Sequence, residues 1–339
     1  MKRYIVLILL TLAPLFLQAN TSNINECISD IYFANSIMTI KDDADKYKDL
    51  IKKKVLKEQY NNDLSKMDKE LNFKTSYNRT HGYYKDIYDT YMFVSSEEDG
   101  WDTYKKIISL FLDKGIGKVI GKVTNLSKKE EELLDKLLDS IDLQNHVDIY
   151  DVDRNADLSK QIKDYRDSIR LGHSIVIVAH GKGDIFTAKA YEEMLKPEGA
   201  RENGWLAEYV NWMSVGSPTR EVRDTYINFD NDSLPYVGTL ETKNNPNRSF
   251  TQNAVGEVFE NNFDMQFHSF NYYMGEPILF QDGLGKRNIS TDIGKKMIMN
   301  FLKNSIKKHR DAYSQWALDQ EYNKNTKANR ITVKHLHDS

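Results

Sequence analysis

A chain of 339 residues with 40% hydrophobic and 29% charged residues has material for a sizeable core, as one large α/β domain or two smaller ones, and is not composed like a disordered protein. Basic and acidic residues number 47 and 50, for a formal net charge of -3, and lysine runs such as Lys52-Lys53-Lys54 lie among acids. That balance argues against a nucleic-acid face and reads as solvated helix surface.

The chain opens MKRYIVLILLTLAPLFLQAN: Lys2 and Arg3, an apolar run from Tyr4 to Leu17 broken at Pro14, then small Ala19. This pattern predicts a secretory signal peptide over residues 1–19, because the run is too short for a comfortable membrane span. The alternative is an uncleaved anchor, since Leu17 is bulky for its place before the cut. Either way the globular part is expected to be exported, to the periplasm or beyond, with no transmembrane span in the mature chain. Cys27 is the one cysteine, so no intramolecular disulfide can form, and it reads as a buried structural thiol, with an intermolecular disulfide as the alternative. No Cys/His cluster has zinc spacing, so neither metal nor cofactor is expected.

The run from Asp30 to Ala34, DIYFA, is rich in β formers and leads into a turn at Asn35-Ser36. From Lys41 onward, Ala44, Tyr47, Ile51 and Val55 recur at three- and four-residue spacing, which predicts an amphipathic helix. A second strand, Asn72 to Tyr77, runs into the polar turn Asn78-Arg79-Thr80-His81-Gly82. Residues 95–144 differ in character: helices over Trp101–Leu112 and Lys128–Leu143 flank GIGKVIGKV. Its glycines, 115, 117 and 121, miss the dinucleotide-binding spacing, and no Walker-type Gly-Lys-Ser/Thr occurs. This segment reads as a helical, lid-like insertion.

Leu158, Ile162, Tyr165 and Ile169 predict a helix over Asn155–Arg170, stopped near Gly172. The continuous aliphatic run Ile175–Val178 is that of a strand covered on both faces. A helix over Asp184–Leu195 ends before Pro197, strands follow at Trp212–Val215 and Tyr226–Phe229, and a last helix covers Thr291–Lys308. Residues 323–339 read as an exposed tail. Strands alternating with helices predict a mainly parallel sheet flanked by helices, spread over residues 20–322.

In such a sheet, ligands collect at the C-terminal ends of the strands. The polar groups delivered there are Asn35-Ser36, Asn78 to His81, His180 to Asp184, Ser217, Asp230-Asn231-Asp232 and, later, His268. The stretch SIVIVAHGKGDIF (174–186) passes from strand to helix through a turn with two glycines. It resembles the G-x-S-x-G elbow of the α/β-hydrolase superfamily, with Ala179, His180, Gly181, Lys182 and Gly183 in the five places. The surrounding IVIVAHGKGDIFTAKAY is similar to bacterial secreted, lipase-like members that carry VAHSQGN there. VGSPTREV resembles their next strand, INFDNDSLP the segment delivering the acid, and HSFNYY the one delivering the histidine. SYNRTHG and DIYFANSIMT also resemble that group.

The resemblance implies an α/β-hydrolase-like fold with Asp232 as the acid, Asp230 as its nearer rival, and His268 as the base. It places oxyanion N–H donors at Lys182 and near Asn35-Ser36, where Ser36 stands in a place commonly held by glycine. His180 commonly neighbours the elbow and hydrogen-bonds structurally. Gly181, in the nucleophile's place, has no atom with which to attack. Loss of such a nucleophile costs on the order of 10⁶ in rate in a measured protease. The nearest other hydroxyls, Ser36, Ser217 and Thr187, are not on the sharp turn.

Plainer roles stand beside these. Gly181 eases a strained backbone, Asp184 caps its helix, Thr80 and His81 close a turn, Lys182 faces solvent or a ligand, and His268 with Asp232 merely fixes the fold. The expected function is an exported pseudo-hydrolase that binds an acyl ester, a lipid or a protein partner in the former cleft. The alternative is an active esterase or lipase that uses water or another nucleophile with His268 and Asp232. A third reading is a scaffold acting through residues 95–144.

Overall fold

Parallel pairing joins five strands into one sheet: β1 (Ser29–Ala34), β2 (Leu71–Ser76), β3 (Ser174–His180), β4 (Val210–Val215) and β5 (Tyr226–Ile227), in the order β2-β1-β3-β4-β5. The computed structural model describes residues 27–82, 86, 90, 147–195, 209–218, 225–227, 268–282, 285–289 and 292–326. The leader at 1–19, the insertion at 95–144, Asp230, Asp232 and the tail beyond residue 326 lie outside the described residues. The helices are α1 (Lys41–Gln59), α2 (Leu64–Glu70), α3 (Val147–Arg170), α4 (Lys182–Leu195), the short α5 (Phe270–Tyr273) and α6 (Asp292–Thr326).

The strand residues explain the layering. β1 sends Ile31 and Phe33 into one core and Tyr32 and Ala34 into the other; β3 divides Val176 and Val178 from Ile175, Ile177 and Ala179 in the same way. With both faces apolar, each needs a helical cover. On one face Ala44, Ile51 and Val55 of α1 pack in a cluster with Ile298, Leu302 and Ile306 of α6. On the other, Tyr165 and Ile169 of α3 join Ala190, Tyr191 and Met194 of α4. Each such fully buried aliphatic side chain contributes about 2 kcal/mol relative to exposure.

The strand order reverses between β1 and β3, and this reversal positions the site. From β1 the chain passes through α1 and α2 to the edge strand β2; later segments build outward on the other side, from β3 to β5. The loops after β1 and β3 therefore diverge to opposite faces, one into α1 and one into α4. Their divergence marks the switch point at the strands' C-terminal ends, the place where open α/β sheets bind ligands.

Several elements differ from the sequence reading. α3 begins at Val147, earlier than the expected Asn155, and ends at Arg170, just before Gly172, whose φ of +79° gives the left-handed turn that closes a helix. α6 continues to Thr326, so residues 323–326 are helical where a tail was expected. Beyond Gly294 this stretch holds neither glycine nor proline, and nothing in its local chemistry stops the helix. α2, capped by Asp63 accepting from the Lys66 N–H at 3.0 Å, and an antiparallel hairpin of β6 (Ile278–Asp282) and β7 (Gly285–Ile289) were not anticipated. Cys27 is only partly buried, though burial still raises its thiol pKa.

Near the other end of the sheet, the buried Asp30 binds neighbouring segments. It accepts from Asn72 Nδ2 at 2.9 Å, Lys74 Nζ at 2.6 Å and His173 Nδ1 at 3.1 Å. Burial alone would raise its pKa; the bonds from His173, Lys74, Ser168 and Asn72 together outweigh it and hold the carboxyl well below the usual range. A carboxylate with a depressed folded pKa contributes stability that is full above about pH 4 and fades as pH falls through the unfolded value toward the folded one. Asp30→Asn is expected to lower the unfolding free energy by about 2 kcal/mol at neutral pH. Urea titrations should show that deficit narrowing at about pH 3, and a deficit independent of pH would contradict it.

Candidate functional site

Ala34 and Ala179 are register partners in β1 and β3, so the residues that follow them emerge side by side. After β3 the chain turns sharply through Gly181, at φ +50°, a left-handed conformation that glycine adopts cheaply. The Gly181 N–H donates to Val215 O of β4 at 2.8 Å, and its carbonyl accepts the Asp184 N–H at 3.1 Å, which fixes the turn between the sheet and the first turn of α4. Gly183 brings that helix against the end of β1: a Cβ there would lie 2.5 Å from Ala34 O and 2.8 Å from Asn35 O.

The decisive contact crosses this junction. A Cβ at position 181 would stand 1.8 Å from Ser36 Oγ and 2.7 Å from His268 Nε2. Ser36 Oγ and His268 Nε2 are themselves 2.5 Å apart, in a buried hydrogen bond. The serine is not on the turn, but its hydroxyl fills the space that a side chain on the turn would take. Ser36, expected near an oxyanion donor and among the nearest hydroxyls off the turn, is thus the hydroxyl in contact with the candidate base.

The other hydroxyls serve other bonds. Ser217 Oγ donates to Asp184 Oδ2 at 2.6 Å, and Thr187 Oγ1 donates to Gly183 O at 2.8 Å. Asp184, expected as a helix cap, accepts from Ser217 and also from Ser214 Oγ of β4 at 2.7 Å. Asn35 is fully buried and ties the loop after β1 to the turn after β2: its Oδ1 accepts the Asn78 N–H at 2.7 Å, and its Nδ2 donates to Asn78 O at 2.9 Å. Its side chain is therefore engaged in holding backbone.

Two histidine rings stack, His180 on His268, with centroids 4.4 Å apart and planes 18° apart. Phe270 and Tyr273 of α5 pack on His180 from other sides. Burial first, and then the neighbouring His268, pushes the pKa of His180 well below its usual value, so this ring is neutral. A neutral ring beneath His268 fixes the plane in which Nε2 meets Ser36. Asp232 and its rival Asp230, expected as the acid partner of His268, lie outside the described residues.

Lys182, expected to face solvent or a ligand, is buried instead. Its Nζ lies 3.3 Å from Asp86 Oδ1, and the chain passes over the Phe186 ring. As the first residue of α4, Lys182 contributes one of the helix's N-terminal amides, at the positive end of the helix dipole. Thr80 and His81 meet the same carboxylate of Asp86, a residue to which sequence reasoning attached no role. Among the described residues no cluster of metal-binding side chains occurs, and no helix is long and apolar enough to cross a membrane.

Comparison with family models, with curated proteins and with solved structures finds no match. The architecture stands on its own: an α/β fold with an all-parallel five-stranded sheet flanked by helices.

The junction makes Ser36 and the missing side chain at 181 mutually exclusive. Gly181→Ala is expected to destabilise the fold by about 3 kcal/mol, from overpacking and backbone strain. In a Ser36→Gly background the loss should shrink to about 2 kcal/mol, from the remaining approach to His268 Nε2 and the backbone strain. A double-mutant cycle by chemical denaturation should read the difference as coupling, and strictly additive losses would contradict the contact.

Proposed function

We propose that the chain is a serine-type acyl hydrolase of the α/β-hydrolase kind in which Ser36, and not residue 181, supplies the attacking oxygen. The observation that carries this reading is the 2.5 Å bond from Ser36 to His268 Nε2, within the side-chain space of the glycine turn. A hydroxyl within hydrogen-bond reach of an imidazole is the minimal activated nucleophile. The strand order, the φ of +50° at Gly181, and the sequence order of turn, acid segment and histidine all support the family reading.

In this mechanism Ser36 Oγ attacks the carbonyl carbon of an acyl ester or lipid while its proton passes to His268 Nε2. The oxyanion that forms lies near the N-terminal amides of α4, the Lys182 N–H among them, where fixed dipoles favour negative charge. Collapse expels the alcohol, which takes the proton from His268. Water, deprotonated by the same imidazole, then releases the acid and regenerates Ser36. Asp232, or Asp230, orients His268 and stabilises its charged form. The apolar leader supports an exported, periplasmic or extracellular setting.

One observation favours a second reading. Ser36 is 2% exposed and His268 4% exposed, a closed arrangement that suits a pseudo-hydrolase binding a lipid, an acyl ester or a protein partner without turning it over.

Activity separates the two. The purified mature chain is expected to hydrolyse p-nitrophenyl esters of short or long acyl chains, with kcat/KM falling on the order of 10³-fold or more in Ser36→Ala and His268→Ala. A fluorophosphonate probe should label the wild-type protein at Ser36, as read by peptide mapping. Absence of both turnover and label would overturn the catalytic reading and leave the binding one.

A further inference from the structure

Asp86 is fully buried, and its carboxylate gathers donors from three separate segments. Oδ2 accepts the Met38 N–H at 2.7 Å and Thr80 Oγ1 at 2.5 Å; Oδ1 accepts the His81 N–H at 3.0 Å and faces Lys182 Nζ at 3.3 Å. The segments are the loop after β1 that carries Ser36, the turn after β2, and the first residue of α4. All three lie at the C-terminal edge of the sheet, the edge that also carries Ser36.

Met38 shows what the carboxylate does. Its φ is +55°, an uncommon state for a residue with a side chain. Met38 is 53% exposed, so packing of its side chain does not hold the backbone there. The bond from its N–H to Asp86 holds it, beside Asn35 Nδ2, which donates to Ser36 O at 3.1 Å and Thr39 O at 3.4 Å on either side. Two residues earlier, Ser36 must point inward to meet His268, and a loop free to leave the left-handed state at Met38 would swing that hydroxyl away. Lys182 supplies the opposite charge that lets a carboxylate stay buried at this point. Asp157, accepting the Arg79 N–H at 2.7 Å, holds the adjoining turn from its other side.

We infer that Asp86 is a positioning residue, whose carboxylate, neutralised by Lys182, clamps the loop after β1 so that the Ser36 hydroxyl faces His268. The inference rests on the reading of Ser36 as nucleophile. Misplacing a reacting group by about 1 Å costs on the order of a hundredfold in rate, and that is the loss expected when the clamp is opened.

The test is the rate of fluorophosphonate labelling at Ser36 in the full mature chain, resolved into the inactivation rate constant and the reversible binding constant. Asp86→Asn should slow the inactivation step on the order of a hundredfold with little change in binding. That variant removes the negative charge opposite Lys182 at a cost to stability, so the double variant Asp86→Leu/Lys182→Met, which removes both charges together, is measured beside it. Replacing both partners of a buried pair is often nearly neutral for stability. The double variant avoids an unpaired charge but removes the acceptor of the Met38 and His81 N–H groups and of the Thr80 hydroxyl, so it is expected to fold with a melting temperature below wild type and to label at least as slowly as Asp86→Asn, whose amide oxygen can still accept one of these bonds. Wild-type labelling rates in a folded double variant would show a pair that only stabilises, and would overturn the clamp. Should the double variant not fold, Thr80→Val, which keeps the ion pair and removes one donor, is expected to label about tenfold slower; an unchanged rate there overturns the clamp equally. A wild-type chain that takes no label at Ser36 overturns the reading of Ser36 itself, and the clamp with it.

Discussion

The structure depends on how closely the start of α4 approaches the end of β1. With Gly183 against the carbonyls of Ala34 and Asn35, no side chain fits between helix and strand, and the two backbones meet directly. This contact sits where the strand order reverses, so it joins the two halves of the sheet at the one place where their loops part. Everything at the C-terminal edge is arranged around it. The turn at Gly181, the Ser36 hydroxyl and the His268 ring pack together beside this approach. Were α4 further from β1, Ser36 would not reach the space in front of Gly181.

From that constraint follows an economy of atoms. The position in front of the turn admits one hydroxyl-sized group, and here it comes from the neighbouring loop. In chemical terms the origin of an oxygen matters less than its distance to the base and to the dipoles of the helix N-terminus. Ser36 meets the first requirement at 2.5 Å. The stacked, neutral His180 adds rigidity to the base without adding a competing charge. The buried Asn35 and Asp86 tie loops at this edge to one another, and Asp184 ties the start of α4 to β4 and the segment after it, so the backbone here has lost its freedom before any ligand arrives.

How much of this was legible in sequence differs between fold and site. The strands were legible because burial on both faces leaves continuous aliphatic runs, as at Ile175–Val178, and their bounds fall within a residue or two of those observed. α1 and α4 were legible from apolar spacing or from a following proline. The far half of α6 was not, since its charged sequence carries neither a stop signal nor an obvious stripe. The β6–β7 hairpin had a cue that went unread: Asp282-Gly283 between two short runs is a composition favoured in hairpin connections. At the site, Gly181 and Ser36 each stood out as departures from the resembled pattern, one lacking a hydroxyl and the other having an extra one. That they answer each other is a fact of distance between residues far apart in sequence, which no local spacing encodes.

Asp86 shows why such a site resists sequence reading. In YYKDIYD nothing separates this aspartate from a solvated one, and its significance arises only because Met38, Thr80, His81 and Lys182 converge on it in the fold. A buried carboxylate with four donors is costly to desolvate and contributes little net stability against an apolar replacement. Its presence is thus poorly explained by folding energy alone, and better explained by what it orders: a left-handed Met38 and the loop that carries Ser36 to His268. The same reasoning distinguishes the two ends of the sheet. Asp30, near the N-terminal end, ties strand to strand where every partner belongs to the scaffold. Asp86 ties loop to loop, at the edge where an open sheet can do chemistry.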